Sequence, residues 1–179
     1  MGTNVTFILA EGVTLADLCD LLELKNLGPI PPMNQDVRIS GVDLPWGLSL
    51  IEVREIDSNI LDDACMQAIS QKYPVIGGTF ADSVNYCRCA KWINGIEVWS
   101  VIHDACSNDR RHLSISGTPP KELEGICKRW FSELDAEDQK DEPEELDLVF
   151  EIPLELVETL TGYNYNHNEN VDYLEKRSS

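Results

Sequence analysis

The chain has 179 residues, of which 42% are hydrophobic and 26% are charged. This length suffices for one domain whose core needs no disulfides or metal ions, and the apolar share excludes a wholly disordered chain. The 32 acidic and 14 basic residues give a formal net charge of −18, which disfavours nucleic acid and anionic membranes and favours basic partners.

The N-terminus and the cysteines indicate a compartment. The first apolar run, Val5 to Ala10, is shorter than the core of a secretory signal, and no run reaches the length of a membrane span. Without a secretory signal, the six cysteines are expected to be reduced thiols. We therefore expect a soluble cytoplasmic protein that does not bind membranes.

The first third of the chain predicts two strands and two helices. Val5 to Ala10 is typical of a short buried strand, and Thr14 is placed to cap a first helix with an apolar stripe at helical spacing. Residues 25–45 are rich in proline and glycine and predict a loop. Leu48 to Ile56 predicts a second strand, after which Asp57 or Ser58 can cap a second helix.

The middle of the chain predicts a β-hairpin over residues 84–104. Asn94-Gly95 separates two runs rich in β-forming residues, and both turn residues tolerate the positive φ of a type I′ turn. A third strand is predicted from His112 to Ser116.

A two-residue turn at Asn94-Gly95 would pair Ile93 with Ile96 and so define the two faces of the hairpin. In that register one face carries the larger side chains Tyr86, Arg88, Trp92, Trp99 and His103, and the other face carries Cys87 and Cys89.

The last third predicts two more helices. Thr118 is placed to cap a third helix with a broad apolar face, and residues 135–145 form an acidic connector. Leu146 to Ile152 is typical of a strand, Pro153 opens a last helix and Gly162 ends it.

These elements predict an α+β protein with a mixed, mainly antiparallel sheet, in which the central hairpin packs against about four helices. Residues 1–162 are expected to form a single domain, and residues 163–179 a polar, mobile C-terminal tail.

Possible metal ligands occur near the hairpin. Cys87, Cys89, His103 and Cys106 are zinc ligands by type, but Cys-x-Cys is not the usual zinc spacing. The predicted register also separates Cys87 and Cys89 from His103, although a β-bulge would reverse this objection. We expect core cysteines and neither a metal nor another cofactor.

Catalysis is the alternative interpretation of the same region. His103, Asp104 and Cys106 lie close together in sequence and could mark the site of a small enzyme of unrecognised class. Adjacent strand residues point to opposite faces, however, and no hydrolase motif accompanies them. We therefore predict no catalytic residue.

Protein binding is the leading interpretation. The stretch from Glu133 to Glu158 contains twelve acidic residues and one basic residue. Aromatic residues and arginine are typical interface anchors, although the aromatic face of the hairpin could equally form a second core layer. The candidate partner-binding residues are Tyr86, Arg88, Trp92, Trp99 and His103 on the hairpin and Asp141, Glu142, Glu144 and Glu145 in the connector, with Glu151, Glu155 and Glu158 adding negative charge.

The resulting hypothesis is an inhibitor or immunity-type protein that neutralises a basic partner such as a nuclease toxin. A mimic of nucleic acid would need a long row of acids on one face, whereas the main acidic cluster is predicted to be a connector. The sequence does not predict an oligomeric state.

Overall fold

The computed structural model describes residues 4–29, 38–54, 61–107, 109–140, 147–164 and 171–177. In these ranges nine strands form one sheet: β1 (Asn4–Glu11), β2 (Leu24–Asn26), β3 (Ile39–Asp43), β4 (Leu48–Val53), β5 (Val75–Ala81), β6 (Tyr86–Ile93), β7 (Ile96–Asp104), β8 (Ser114–Gly117) and β9 (Asp172–Lys176). The four helices are α1 (Leu15–Leu21), α2 (Asp63–Ser70), α3 (Glu122–Asp138) and α4 (Glu151–Thr161).

The strand order is β2-β9-β3-β4-β1-β5-β6-β7-β8, and neighbouring strands are antiparallel. This confirms the predicted α+β class.

Helices cover both faces of the sheet. On one face, residues such as Phe7 and Val101 pack with apolar residues of α3 and α4, and we call this the α3–α4 face. On the other, residues such as Ile8 and Ile51 pack with α1 and α2, and we call this the α1–α2 face. Alternate residues of β1 enter different cores because successive side chains of a strand point to opposite faces.

Two predicted helix ends are confirmed. The Thr14 Oγ1 accepts a hydrogen bond from the Asp17 backbone N–H at 3.2 Å, which caps α1. Gly162 ends α4 with φ of 68°, a conformation that disfavours side chains bearing a Cβ.

Two predicted helix starts were wrong. The side chain of Asp62, not that of Asp57 or Ser58, caps α2, and residues 57 and 58 lie outside the described residues. Thr118 does not cap α3, because its N–H bonds the Val98 carbonyl across the sheet and the helix begins only at Glu122.

The predicted strand from Leu146 to Ile152 was also wrong. Asp147 caps a 3₁₀ turn, Leu148–Phe150, which leads directly into α4 at Glu151. A short apolar run does not distinguish a strand from a buried helical segment, and the burial here follows helical spacing. Residues 135–138 of the predicted connector are helical, because α3 continues to Asp138. Residues 141–146 lie outside the described residues.

The hairpin differs from the predicted register by one residue. Ile93 pairs with Ile96 as expected, but Lys91 pairs with Trp99, so Val98 has no partner residue on β6. This β-bulge moves every later residue of β7 to the opposite face from the one predicted.

Within the predicted C-terminal tail, residues 172–176 form a strand of the sheet. β9 lies between β2 and β3 and pairs with both, and the Leu174 side chain is only 6% exposed. The predicted domain boundary at residue 162 therefore excluded an interior strand.

We expect Leu174→Ala to lower the free energy of unfolding by about 2–4 kcal/mol, because it removes a buried leucine from an interior strand. Chemical denaturation measures this loss. Glu175→Ala, at an exposed position of the same strand, is the matched control, and equal stability of the two variants would contradict the placement of β9.

β5 was not predicted, because two glycines interrupt its apolar pattern. Gly78 lies so close to the Arg88 carbonyl of β6 that an added Cβ would overlap it. We expect Gly78→Ala to lower the free energy of unfolding by about 1–3 kcal/mol through this overlap.

Gly125 provides the control for that measurement. It is exposed on α3 with open space around its Cα, so Gly125→Ala should raise the free energy of unfolding by about 0.5–1 kcal/mol. A neutral Gly78→Ala would show that the two strands are not so closely paired.

Candidate functional site

The predicted aromatic face of the hairpin does not exist as one surface. Because of the bulge, Trp99 and His103 lie on the α3–α4 face, at 4% and 0% exposure, whereas Tyr86, Arg88 and Trp92 lie on the opposite face. The common face expected from the sequence is therefore corrected. Asp141, Glu142, Glu144 and Glu145 lie outside the described residues.

The Arg88 guanidinium is engaged within the fold. Its nitrogens bind the Asp63 carboxylate at 2.6 Å and the Glu97 carboxylate at 2.8 Å, which connects β6 to α2 and to β7. Its charge is thus already paired, and a partner would have to displace these acids to use it.

His103 is held by two hydrogen-bond acceptors. Its Nδ1 lies 2.7 Å from the His112 carbonyl oxygen, and its Nε2 lies 2.9 Å from Asp147 Oδ2. Both ring nitrogens are therefore occupied, and neither has a free lone pair to act as a general base.

Asp104 and Cys106 do not complete a catalytic group with His103. The Asp104 carboxylate accepts a hydrogen bond from the Cys106 backbone N–H at 2.9 Å, and the Asp104 N–H donates to His112 Nδ1 at 3.0 Å. Cys106 is exposed, while His103 is buried and directed at Asp147. The contacts thus give no nucleophile–base–orienter chain.

The bulge removes the register objection to a metal site, since Cys87, Cys89 and His103 share the α3–α4 face, but the Cys-x-Cys spacing remains unusual for zinc. Within the described ranges, however, no three His, Cys, Asp or Glu side chains are placed to hold a metal ion. Burial raises the pKa of the Cys87 and Cys89 thiols well above their ordinary value, so both are neutral core residues.

A cavity of about 470 Å³ opens beside α4. We call it the acidic cleft, and it is lined by Phe80, Trp130, Glu151, Leu154, Glu155, Glu158, Thr159, Tyr163 and Asn164. Its three glutamates are spaced i, i+4 and i+7 along the helix, so they share one side of α4, and its aromatic residues form the walls.

Two of the three cleft carboxylates have partners. Glu155 binds the Arg129 guanidinium and accepts a hydrogen bond from Trp130 Nε1 at 2.7 Å. Glu158 accepts a hydrogen bond from the Asn164 side-chain amide at 3.2 Å.

Glu151 differs from its two neighbours. In the part of the chain that the structure describes, it makes no ion pair and no side-chain hydrogen bond. Burial, followed by the charges of Asp82 and Asp147, raises its pKa above the ordinary value of 4.5. The cleft therefore contains a partly buried carboxylate without a matching cation.

The sequence named these glutamates for their charge but not as a site. Their helical spacing was a usable signal, but the strand predicted up to Ile152 left Glu151 outside the helix. The cavity itself depends on Phe80 and Trp130, which come from distant parts of the chain.

Trp99 borders a second, smaller cavity of about 280 Å³ near the C-terminal end of α4. Trp46 forms another wall, and Lys91 reaches into the same space. Of the predicted hairpin anchors, Trp99 is thus beside a cavity but remains almost entirely buried.

No protein family model matches this chain, and neither the curated proteins nor the solved structures contain a significant match. Among the described helices, none is both long enough and apolar enough to cross a membrane.

We expect Glu151→Gln to raise the melting temperature at neutral pH. The raised pKa means that wild-type stability falls as pH rises from 4.5 through the folded-state pKa of Glu151, whereas glutamine carries no charge. The gain should therefore shrink toward zero below about pH 4.5, and thermal unfolding across pH 3–8 would measure it.

Glu11→Gln serves as the control, since Glu11 is exposed and makes no ion pair within the described residues. A gain of equal size and pH dependence in both variants would reflect net charge alone and would contradict a local cost at Glu151.

Proposed function

We propose that this chain is an acidic, cytoplasmic protein-binding protein, of the inhibitor or immunity type, that neutralises a basic partner such as a nuclease toxin. We further propose that the acidic cleft receives a lysine or arginine side chain of that partner. The observation that carries the proposal is Glu151, a partly buried carboxylate that lines an open cavity and makes no ion pair with any residue that the structure describes.

The stability cost of Glu151 supports a binding role. Desolvation and two neighbouring negative charges disfavour its ionised form, so glutamine or a neutral residue would serve the fold better. Binding sites are the places where local rules of stability are commonly violated. A cationic side chain would offset both the repulsion and the lost hydration.

The walls of the acidic cleft suit a long cationic side chain. The cavity of about 470 Å³ lies within the range of ligand pockets, and the partly exposed Trp130 offers aromatic surface for a side-chain stem or a guanidinium plane. The Arg129 guanidinium already lies 5.1 Å from the Trp130 ring centroid, which illustrates the contact.

The overall charge favours rapid association with a basic partner. A net charge of −18 attracts a cationic protein over distances comparable with the Debye length, so the association rate should fall as salt is added. Residues 141–145 would add to this field whatever their conformation.

The enzyme alternative finds less support in the contacts of its residues. His103 has both nitrogens engaged, Asp104 binds backbone, and the Cys106 thiol is exposed at a surface turn. Turnover that survives in a His103→Gln variant would exclude His103 as a base in any activity found later.

The first test is affinity capture from the source cell's cytosol at low salt and again at high salt. We expect one stoichiometric basic protein that is retained at low salt and lost or weakened at high salt. The captured protein, once purified, becomes the ligand in titrations against two triple variants of equal net charge.

The first variant, Glu151→Gln/Glu155→Gln/Glu158→Gln, neutralises the acidic cleft. The second, Glu11→Gln/Glu124→Gln/Glu175→Gln, neutralises three exposed acids elsewhere. We expect the cleft variant to weaken binding by about a hundredfold and the control variant by less than about fivefold, because only the cleft carboxylates would contact buried cations.

Equal losses in both variants would show that the cleft is not the site. Failure to capture any basic partner at low salt would contradict the proposed function itself.

A further inference from the structure

The His103 ring joins three segments of the chain. His103 belongs to β7, the His112 carbonyl precedes β8, and Asp147 caps the 3₁₀ turn that runs directly into α4. The ring itself is completely buried, and Asp147 Oδ1 also accepts a hydrogen bond from the Phe150 N–H at 3.4 Å. One imidazole thus connects the sheet to the start of α4.

When Asp147 is ionised, both partners of the ring are hydrogen-bond acceptors that have no proton to donate. A neutral imidazole carries one N–H, so it can satisfy either the carbonyl or the carboxylate but not both. With Asp147 ionised, both short contacts are hydrogen bonds only when the ring is an imidazolium. Loss of its proton would place a ring lone pair against an acceptor in a buried site, which is unfavourable.

The surroundings on each packed element favour the charged ring. Asp104 on the same strand contributes negative charge, while the facing Cys87 thiol of β6 is neutral because burial raises its pKa well above the ordinary value. The neighbouring groups on the other elements are the His112 imidazole before β8, whose ring centroid is 6.1 Å away, and the Asp147 carboxylate just before α4. Arg110 and Arg111 are bound by Asp135 and Asp138 of α3.

We propose that His103 and Asp147 form a proton-dependent latch, closed when the imidazole is charged and released when it is neutral, that fixes the N-terminal end of α4 to the sheet.

The direction of the pH dependence follows from the same contacts. Burial lowers the pKa of His103, but the hydrogen bonds to Asp147 and the His112 carbonyl and the charges of Asp147 and Asp104 raise it above the ordinary value of 6.5. The latch therefore stabilises the fold fully below about pH 6.5 and loses this effect as pH rises through the raised folded-state pKa. Because α4 carries the glutamates of the acidic cleft, release would also loosen that site, but the latch does not rest on the proposed function.

The experiment combines two measurements on the full chain. A nuclear magnetic resonance titration follows the His103 ring protons, and hydrogen exchange follows the amides of α4 from Leu154 onward, as protection factors corrected for the intrinsic rate. We expect protection to fall by about tenfold for each pH unit between the unfolded and the folded pKa of His103. Amides of α1, on the other face, report any change in global stability.

Asp147→Asn is the decisive variant. An asparagine amide can donate to a neutral Nε2 while Nδ1–H still donates to the His112 carbonyl, so a neutral ring is satisfied. We expect its His103 to titrate below the ordinary range and the fall in α4 protection above pH 6.5 to disappear. Asp138→Asn is the matched control. It removes the ion pairs of Asp138 with Arg110 and Arg111 and should leave the pH dependence of α4 protection as in wild type.

If the His103→Gln variant folds, it should also lose the pH dependence of α4 protection. If it does not fold, Asp147→Asn alone tests the latch. A wild-type His103 that titrates at or below 6.5 would overturn the latch. So would α4 protection that is independent of pH, or that keeps its pH dependence in Asp147→Asn.

Discussion

The β-bulge opposite Lys91 and Trp92 determines which layer of the molecule each later residue of β7 joins. Because the side-chain period of a strand is two, one unpaired residue, Val98, exchanges the faces of all that follow. Trp99 and Val101 thereby enter the core beneath α3 and α4, and His103 meets Asp147. Without the bulge, these side chains would face α1 and α2, and the His103–Asp147 contact could not form.

The ion pairs show in which parts of the molecule the negative charge is balanced by arginines. Acids near the end of α3 are matched by arginines, as in the pairs of Arg110 with Asp138 and Arg111 with Asp135. Such surface pairs contribute little stability each, but they leave little uncompensated charge in that region. Glu151 is different, since its half-buried carboxylate lies near the acids Asp82 and Asp147 and makes no ion pair within the described residues. The electrostatic cost of Glu151 is thus confined to the cavity that it lines.

α4 connects these two features. Its start is tied to the sheet through Asp147 and His103, and its exposed side supplies the glutamates of the acidic cleft. The opposite side of the helix is buried through residues such as Ile152 and Leu156. A change at the latch would therefore reach the cleft through one short helix, without rearrangement of the sheet.

Local chemistry alone determined several elements of this protein. The Thr14 cap, the Asn94-Gly95 turn and the Gly162 helix end depend on residues within a few positions, and so the sequence predicted them and the α+β class. The bulge at Val98, the strand containing Gly77 and Gly78, and the insertion of β9 between β2 and β3 depend on neighbours far away in the chain. Only the tertiary structure could decide these three features, because strand pairing and burial depend on which distant residues meet. The burial of Trp99 and His103 and the cavity beside Glu151 were decided in the same way.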